Sequence, residues 1–347
     1  MIHLTLRRAI SFVAIASVLN FDTARGAVAL DALGLYLTRN GYGGAQLVRV
    51  GNFYALPINS NGKPGNLIID TGAPATLMFR PSLKALDLIE LQTNVPVSGA
   101  FGKSREFYGT AMIKALRAGN CTFTNVPVAV ISSLSGGPSF RSHVGPSGVL
   151  GLRELSRFGA VVDLPDRLIY FRPPRSTFNT NETARLVRTT FGWRSMAPDS
   201  ELSHSMRCIL TERGWTPVAF SIEIGHLRVP AMVNGISCHL RIDTGAHLTI
   251  LDANFAKRAK IAGVETRIIA QGIGKSAGEV SVAVFPSLRV GNYEIKQGSA
   301  MVGVLDPEAI GHGTRSEVNG LLGIEHLALN SAIFDFVNRT LYLRPPR

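Results

Sequence analysis

The tetrapeptide Asp-Thr-Gly-Ala occurs twice in this chain, as Asp70-Thr71-Gly72-Ala73 and Asp243-Thr244-Gly245-Ala246, each time closing an apolar run. The runs are Asn66-Leu67-Ile68-Ile69 and His239-Leu240-Arg241-Ile242. The offset of 173 residues (243 − 70) carries more than the tetrapeptide. Pro57 matches Pro230, and Asn61-Gly62 matches Asn234-Gly235. After a slip of one residue, Gly102-Lys103-Ser104 matches Gly274-Lys275-Ser276, and Gly148-Val149-Leu150-Gly151-Leu152 matches Gly320-Leu321-Leu322-Gly323-Ile324. Leu168-Ile169-Tyr170-Phe171-Arg172-Pro173-Pro174 likewise matches Thr340-Leu341-Tyr342-Leu343-Arg344-Pro345-Pro346. Solenoid units repeat every 20–50 residues or so, and this period is far longer. The chain therefore has to fold as two copies of one domain, or as two lobes of one double domain.

Its 347 residues suffice for two domains of about 100–200 residues each. Residues 1–29 stand apart from the repeat. Arg7 and Arg8 precede an apolar stretch over residues 9–19, and Ala27-Val28-Ala29 follows as a cleavage site. That layout is a secretory signal, and the stretch is shorter than the roughly 20 apolar residues of a membrane span. The expected divisions are a signal peptide at 1–29, a first lobe at 30–174, a linker at 175–213 and a second lobe at 214–347. The mature chain is expected to be exported, periplasmic or secreted, with no stable membrane span.

The net charge of +12 raises the question of nucleic acid. The basic residues are scattered, without a run of five or six and without interleaved aromatic residues for base stacking, so no nucleic-acid partner is expected. Cys121, Cys208 and Cys238 do not repeat between the copies, and three thiols cannot all pair.

Short apolar runs divided by Gly, Pro, Asn and Ser read as strands, for example at 45–50, 126–131, 159–163, 281–285 and 332–336. The fold class is all-β with short helices. One helix is expected to start at Pro81 and include Leu83, Ala85 and Leu86, and another to run over 252–260. Two more follow the glycine repeats, at 153–158 and 325–329.

Two carboxylates brought within hydrogen-bonding distance cannot both ionise comfortably and share one proton. The ionised member then serves as general base and the protonated member as general acid. Asp70 and Asp243 are the candidate catalytic pair, and which of them holds the proton is a property of the pair that the sequence leaves open. Gly72 and Gly245 let backbone approach the carboxylates with no Cβ in the way. Neither Gly-Lys-Ser is a phosphate loop, because that pattern needs glycine where Val97 and Ile269 stand. Cys238, His239, Asp243 and His247 have no zinc-ligand spacing, so neither a metal nor a cofactor is expected.

Each copy resembles a retropepsin-like aspartic protease domain, and the whole chain resembles a two-lobed member of the pepsin and retropepsin superfamily. The likeness rests on Asp-Thr-Gly-Ala after an apolar run and on a downstream hydrophobic-hydrophobic-Gly element, Val149-Leu150-Gly151 and Leu321-Leu322-Gly323. These elements follow the aspartates by 79 (149 − 70) and 78 (321 − 243) residues. It covers most of residues 40–174 and 215–347 and is strongest toward retropepsin-like proteins of bacterial genomes. Ala73 and Ala246 match the retroviral type, where digestive pepsin-type enzymes carry Ser or Thr, which implies activity without strong acid. The resemblance implies two homologous β-barrel lobes with the active-site cleft between them, and peptide-bond hydrolysis by water activated between Asp70 and Asp243. It further implies that the Thr71 and Thr244 hydroxyls bond across the lobe junction. Two β-hairpin flaps are implied, within 97–110 and 270–282. Their candidate substrate-binding residues are Gly99, Phe101, Gly102, Tyr108, Gly272, Ile273 and Gly274, and His247 is expected to line the cleft. The partner implied is a peptide or protein substrate. The expected assembly is a monomer with an internal pseudo-dimer, and a homodimer pairing lobes between chains is the alternative. A non-catalytic peptide-binding protein of the same fold is the alternative function.

Overall fold

The computed structural model describes residues 30–99, 102–132, 145–172, 200–223, 225–271, 277–303, 305 and 318–346. The expected signal peptide, residues 175–199 of the expected linker, Phe101, Gly272, Ile273 and Gly274 lie outside this set.

The first copy runs α1 (Ala32–Arg39), β1 (Gly43–Gln46), β2 (Val48–Val50), β3 (Phe53–Ser60), β4 (Lys63–Ile69) and β5 (Leu77–Phe79). After a 3-10 turn (Arg80–Ser82) come β6 (Leu91–Gly99), β7 (Gly102–Ala118), β8 (Cys121–Ile131), β9 (Gly148–Leu150), α2 (Leu152–Arg157), β10 (Val161–Asp163) and β11 (Leu168–Phe171). The second copy opens with α3 (Ser200–Thr211), β12 (Thr216–Ala219), β13 (Ser221–Glu223), β14 (His226–Val233), β15 (Ile236–Ile242) and β16 (Ile250–Asp252). It continues through α4 (Ala253–Arg258), β17 (Gly263–Gln271), β18 (Ala277–Val290), β19 (Tyr293–Gly303), β20 (Gly320–Leu322), α5 (Ile324–Leu329), β21 (Ile333–Asp335) and β22 (Thr340–Leu343).

Each strand of the first copy has its counterpart eleven strands later. Two eight-stranded sheets have the orders β2-β3-β4-β9-β5-β8-β7-β6 and β13-β14-β15-β20-β16-β19-β18-β17, identical under that shift. A six-stranded sheet, β1-β11-β10-β21-β22-β12, joins the copies. Its central seam pairs Val161 with Asp335, Val162 with Phe334 and Asp163 with Ile333 in antiparallel register. The main core is continuous across that seam, with Phe158, Val162, Ile169 and Phe171 of one copy clustered with Phe334, Phe336 and Leu341 of the other.

The repeated Asn-Gly pairs are hairpin turns. Asn61 and Gly62 have φ of 51° and 88°, Asn234 and Gly235 have 49° and 80°, and two left-handed residues in a two-residue loop match the twist of the flanking strands. These turns pin β4 against β3 and β15 against β14, and so set which residue ends the strand that leads into each aspartate. The glycine elements become β9 and β20, which lie parallel to β4 and β15.

One expectation about helices changes. The segment after Pro81 is only a 3-10 turn followed by further turns, closed where Asp87 takes a left-handed φ of 52°. The second-copy segment is the short helix α4, whose N-terminus is capped by the Asp252 side chain accepting from the amides of Asn254 and Phe255. The end of the expected linker contains α3, the counterpart of α1. Leu202, Met206 and Leu210 of α3 and Leu33 and Leu37 of α1 are buried in one cluster with Tyr170, Tyr342 and Trp215 beneath the six-stranded sheet. Apolar residues four apart lie on one helical face, which is why these two helices face the sheet. Among the described residues no helix is long and apolar enough to cross a membrane, and the three cysteines are free.

Candidate active site

Asp70 and Asp243 follow β4 and β15 directly, and both are held by the glycine elements. The Asp70 amide donates to the Leu150 carbonyl at 3.0 Å and the Asp243 amide to the Leu322 carbonyl at 3.0 Å. The chain then turns sharply and wraps each carboxylate in its own backbone. Asp70 Oδ1 accepts from the amides of Gly72 (2.8 Å) and Ala73 (3.1 Å). Asp243 Oδ1 accepts from those of Gly245 (3.0 Å) and Ala246 (3.0 Å).

The two loops meet face to face. A Cβ built on Gly72 would lie 2.3 Å from Asp243 Oδ1, and one built on Gly245 would lie 2.4 Å from Asp70 Oδ1. Each carboxylate therefore rests on the other lobe's loop glycine across the lobe junction. A side chain at either glycine would collide with the opposite carboxylate.

Thr71 and Thr244 tie the loops together by four buried hydrogen bonds related by the internal twofold. The Thr71 amide donates to Thr244 Oγ1 at 3.0 Å, and the Thr244 amide donates to Thr71 Oγ1 at 3.0 Å. The Thr71 hydroxyl donates to the Ile242 carbonyl at 2.9 Å, and the Thr244 hydroxyl to the Ile69 carbonyl at 2.8 Å. Thr71→Val keeps the shape and strands a buried carbonyl and a buried amide. It is expected to cost about 2–6 kcal/mol in urea denaturation, because each of the two buried groups left unpaired costs about 1–3 kcal/mol. A loss of about 0.5 kcal/mol or less, typical of a surface change, would show that these hydroxyls do not hold the seam.

Burial is the main reason that the Asp70 carboxyl is pushed from the usual 3.8 up to about 7, and the negative charge of Asp243 adds to it. The Arg241 guanidinium and the amides of Gly72 and Ala73 oppose the rise. Arg241 is only 6% exposed and donates to the Gly72 carbonyl of the opposite lobe. Sequence comparison of the two copies passed over it, because the first copy has Ile68 at that place. Two carboxylates behind the loops also escaped notice. Glu154 accepts from the Thr76 amide and Glu325 from the Thr249 amide, while the Thr76 and Thr249 hydroxyls accept from the amides of Gly151 and Gly323. Thr76 and Thr249 obey the 173-residue offset, but the two glutamates differ from it by two residues (325 − 154 = 171), which hid the pattern.

The expected flap segments are the outer hairpins of the two large sheets. β6 and β7 pair as far as Gly99 opposite Gly102, and β17 and β18 as far as Gln271 opposite Ala277. Tyr108 packs on the apolar cluster that contains Ile68 and Ala73, just beneath the first loop. His247 is exposed and reaches the other lobe: its Nε2 lies 3.0 Å from Asn52 Nδ2, and its ring meets Phe53 edge-on with centroids 6.4 Å apart. Pro74 makes the twofold-related contact, 3.2 Å from a Cβ built on Gly225. His247 is thus placed at a junction between the lobes.

The Aspartyl protease family matches the chain twice, at residues 56–153 and 229–326, together more than half of its length. Both matches contain an Asp-Thr-Gly-Ala and its glycine element. No curated protein matches the chain. Among solved structures the chain is similar to the aspartic proteinase from Irpex lacteus, at 12% identity over 88% of this chain and 97% of that one, with a TM-score of 0.46. It is also similar to a retropepsin-like aspartic protease from Rickettsia conorii, at 22% identity over 38% of this chain and 89% of that one, with a TM-score of 0.28. With two matching halves, one aspartate loop in each and a shared twofold, the chain belongs to the aspartyl protease family and is built as two retropepsin-like domains in a single polypeptide.

Proposed function

We propose that this protein is an exported aspartic endopeptidase that works as a single chain, with residues 1–29 directing its export. The observation that carries the reading is the mutual seating of each carboxylate on the opposite loop glycine. In that arrangement the ionised carboxylate accepts a proton from water as its oxygen bonds to the scissile carbonyl carbon. The protonated carboxyl gives its proton to the carbonyl oxygen, producing a neutral gem-diol. Collapse returns one hydroxyl proton to the second carboxylate while the first carboxyl passes the proton it took from water to the amide nitrogen, and the C–N bond breaks, which restores the starting pair. The hairpins β6–β7 and β17–β18 supply the two walls that close over an extended peptide.

The Asp70 carboxyl holds its proton up to about pH 7, so the singly protonated pair persists to near neutrality. Above that pH the acid member is lost. The kcat/KM for a peptide is therefore expected to be high at mildly acidic pH and to fall as pH rises past about 7. A rate still rising between pH 7 and 9 would contradict a shared proton.

Incubation of the purified protein with a defined peptide mixture, followed by mass spectrometry of the products, tests the reading. Newly formed termini inside the peptides are expected. Peptides retained by the protein but never cut would favour the non-catalytic peptide-binding alternative.

A further inference from the structure

The internal twofold fails at one place beside the paired acids. In the first copy Ala55 and Ile68 are buried in one apolar cluster, with Val50 and Phe53 packed against it. The 173-residue offset converts these four positions to Glu223, His226, Arg228 and Arg241. A greasy patch in one lobe is a charged network in the other. Arg228 and Arg241 sit directly opposite each other on β14 and β15, both buried. Arg228 is paired with Glu223, and Arg241 donates to the Gly72 carbonyl across the junction.

Two adjacent buried guanidinium groups are costly unless something nearby repays the desolvation. Glu223 does this for Arg228. Arg241 lies two residues before Asp243 and is attracted to the carboxylates of both Asp243 and Asp70, more strongly to the first. Ile68 offers Asp70 nothing comparable.

We propose that Arg241 is a positioning residue that breaks the symmetry of the acid pair, so that Asp243 is the ionised member and Asp70 carries the shared proton when substrate arrives. The assignment rests on the endopeptidase reading for its consequence, though not for its physics. Asp243 then takes the proton from water, and Asp70 protonates the carbonyl oxygen. Arg241 also fixes the Gly72 carbonyl, so the first loop is held by the second lobe through a charged donor as well as through Thr244. The charged and titratable groups facing this arrangement are Asp70 from the first lobe, Asp243 on the Arg241 side of the junction, His226 and Arg228 on β14, and Glu223 on β13. His226 is held well below its usual range by burial and by Arg241, so it stays neutral and adds no further positive charge. His239 is also lowered, by its own partial burial and by Arg228, with Glu223 opposing.

The test compares Arg241→Ile, which restores the residue of the first copy, with Arg241→Lys, which keeps the charge. An opposite charge at close range moves a carboxyl by about 1–3 pH units, so the isoleucine variant is expected to shift both limbs of the kcat/KM profile upward, the acidic limb more, by about one unit or more. The lysine variant is expected to keep both limbs near those of the wild type. Reduced activity in the isoleucine variant with limbs unmoved would mean a purely structural role and would overturn the proposal. Should that variant not fold, carbon-13 NMR of aspartate-labelled wild-type protein decides, with the two carboxyl carbons assigned through Asp70→Asn and Asp243→Asn. At mildly acidic pH Asp243 is expected at the ionised position and Asp70 at the protonated one; equal or reversed positions would overturn the proposal. This readout needs no turnover. An ordered pair without peptide cleavage would sink the endopeptidase reading and leave the charge bias standing.

Discussion

Asp70→Asn and Asp243→Asn are each expected to lower peptide hydrolysis by at least about a thousandfold, since a positioned general acid or base contributes roughly 10²–10⁴ and each variant leaves the pair unable to perform both roles. Asparagine is the right replacement because its amide oxygen still accepts from the two loop amides that hold each aspartate. The loops therefore stay in place while proton exchange is lost. Folding supplies the control, and its sign follows from the direction of the shift at Asp70. The folded-state value of about 7 lies above the unfolded 3.8, so the native state binds the proton more tightly. Stability from this group is complete below about pH 4 and is lost as pH rises through about 7. Asp70→Asn removes that dependence, so the variant is expected to melt no lower than the wild type at pH 8 while being inactive. Rates in the two asparagine variants equal to the wild-type rate would exclude the pair from the chemistry. Activity lost together with a much lower melting point at pH 8 would point to collapse of the junction instead.

Much of this architecture was legible because duplication writes each structural demand twice. Asp-Thr-Gly-Ala, Asn-Gly and the Gly-Leu-Gly elements sit where backbone geometry allows few residue types, so both copies retained them. The two repeated, mostly β lobes followed from those repeats. What stayed hidden falls into two kinds. Helices α1 and α3 satisfy one demand, apolar cover for the six-stranded sheet, with different residues at the same four-residue spacing, Leu33 and Leu37 against Leu202, Met206 and Leu210. Matching letters at a fixed offset cannot find them, although helical periodicity within residues 200–211 could have. Arg241 is hidden for the opposite reason: comparing copies retains what both share, and Arg241 matters because its counterpart is Ile68. A charge inside an otherwise apolar strand was the available signal. The central seam of the six-stranded sheet was not readable at all, since strand partners from separate lobes are chosen by tertiary packing.

Gly72→Ala and Gly245→Ala are expected to lower kcat by about a hundredfold or more, the scale on which a displacement of about 1 Å costs activity when geometry carries the catalysis. The added methyl carbon would sit 2.3 Å from Asp243 Oδ1 in the first variant and 2.4 Å from Asp70 Oδ1 in the second, well inside van der Waals contact. Neither carboxylate can swing away freely, because two loop amides hold its Oδ1. The loops cannot easily part either, because the four threonine bonds lie one residue before each glycine. Something must yield, and every available movement separates the acids or breaks the bonds that orient them. The internal twofold makes the prediction sharper, since the two variants should suffer losses of similar size despite a separation of 173 residues in the chain. Asp243→Asn with Gly72→Ala should cost no more activity than Asp243→Asn alone, because both changes disable one device. Near-normal kcat in Gly72→Ala, measured on protein whose melting point shows it to be folded, would mean that the opposing carboxylate does not rest on this loop.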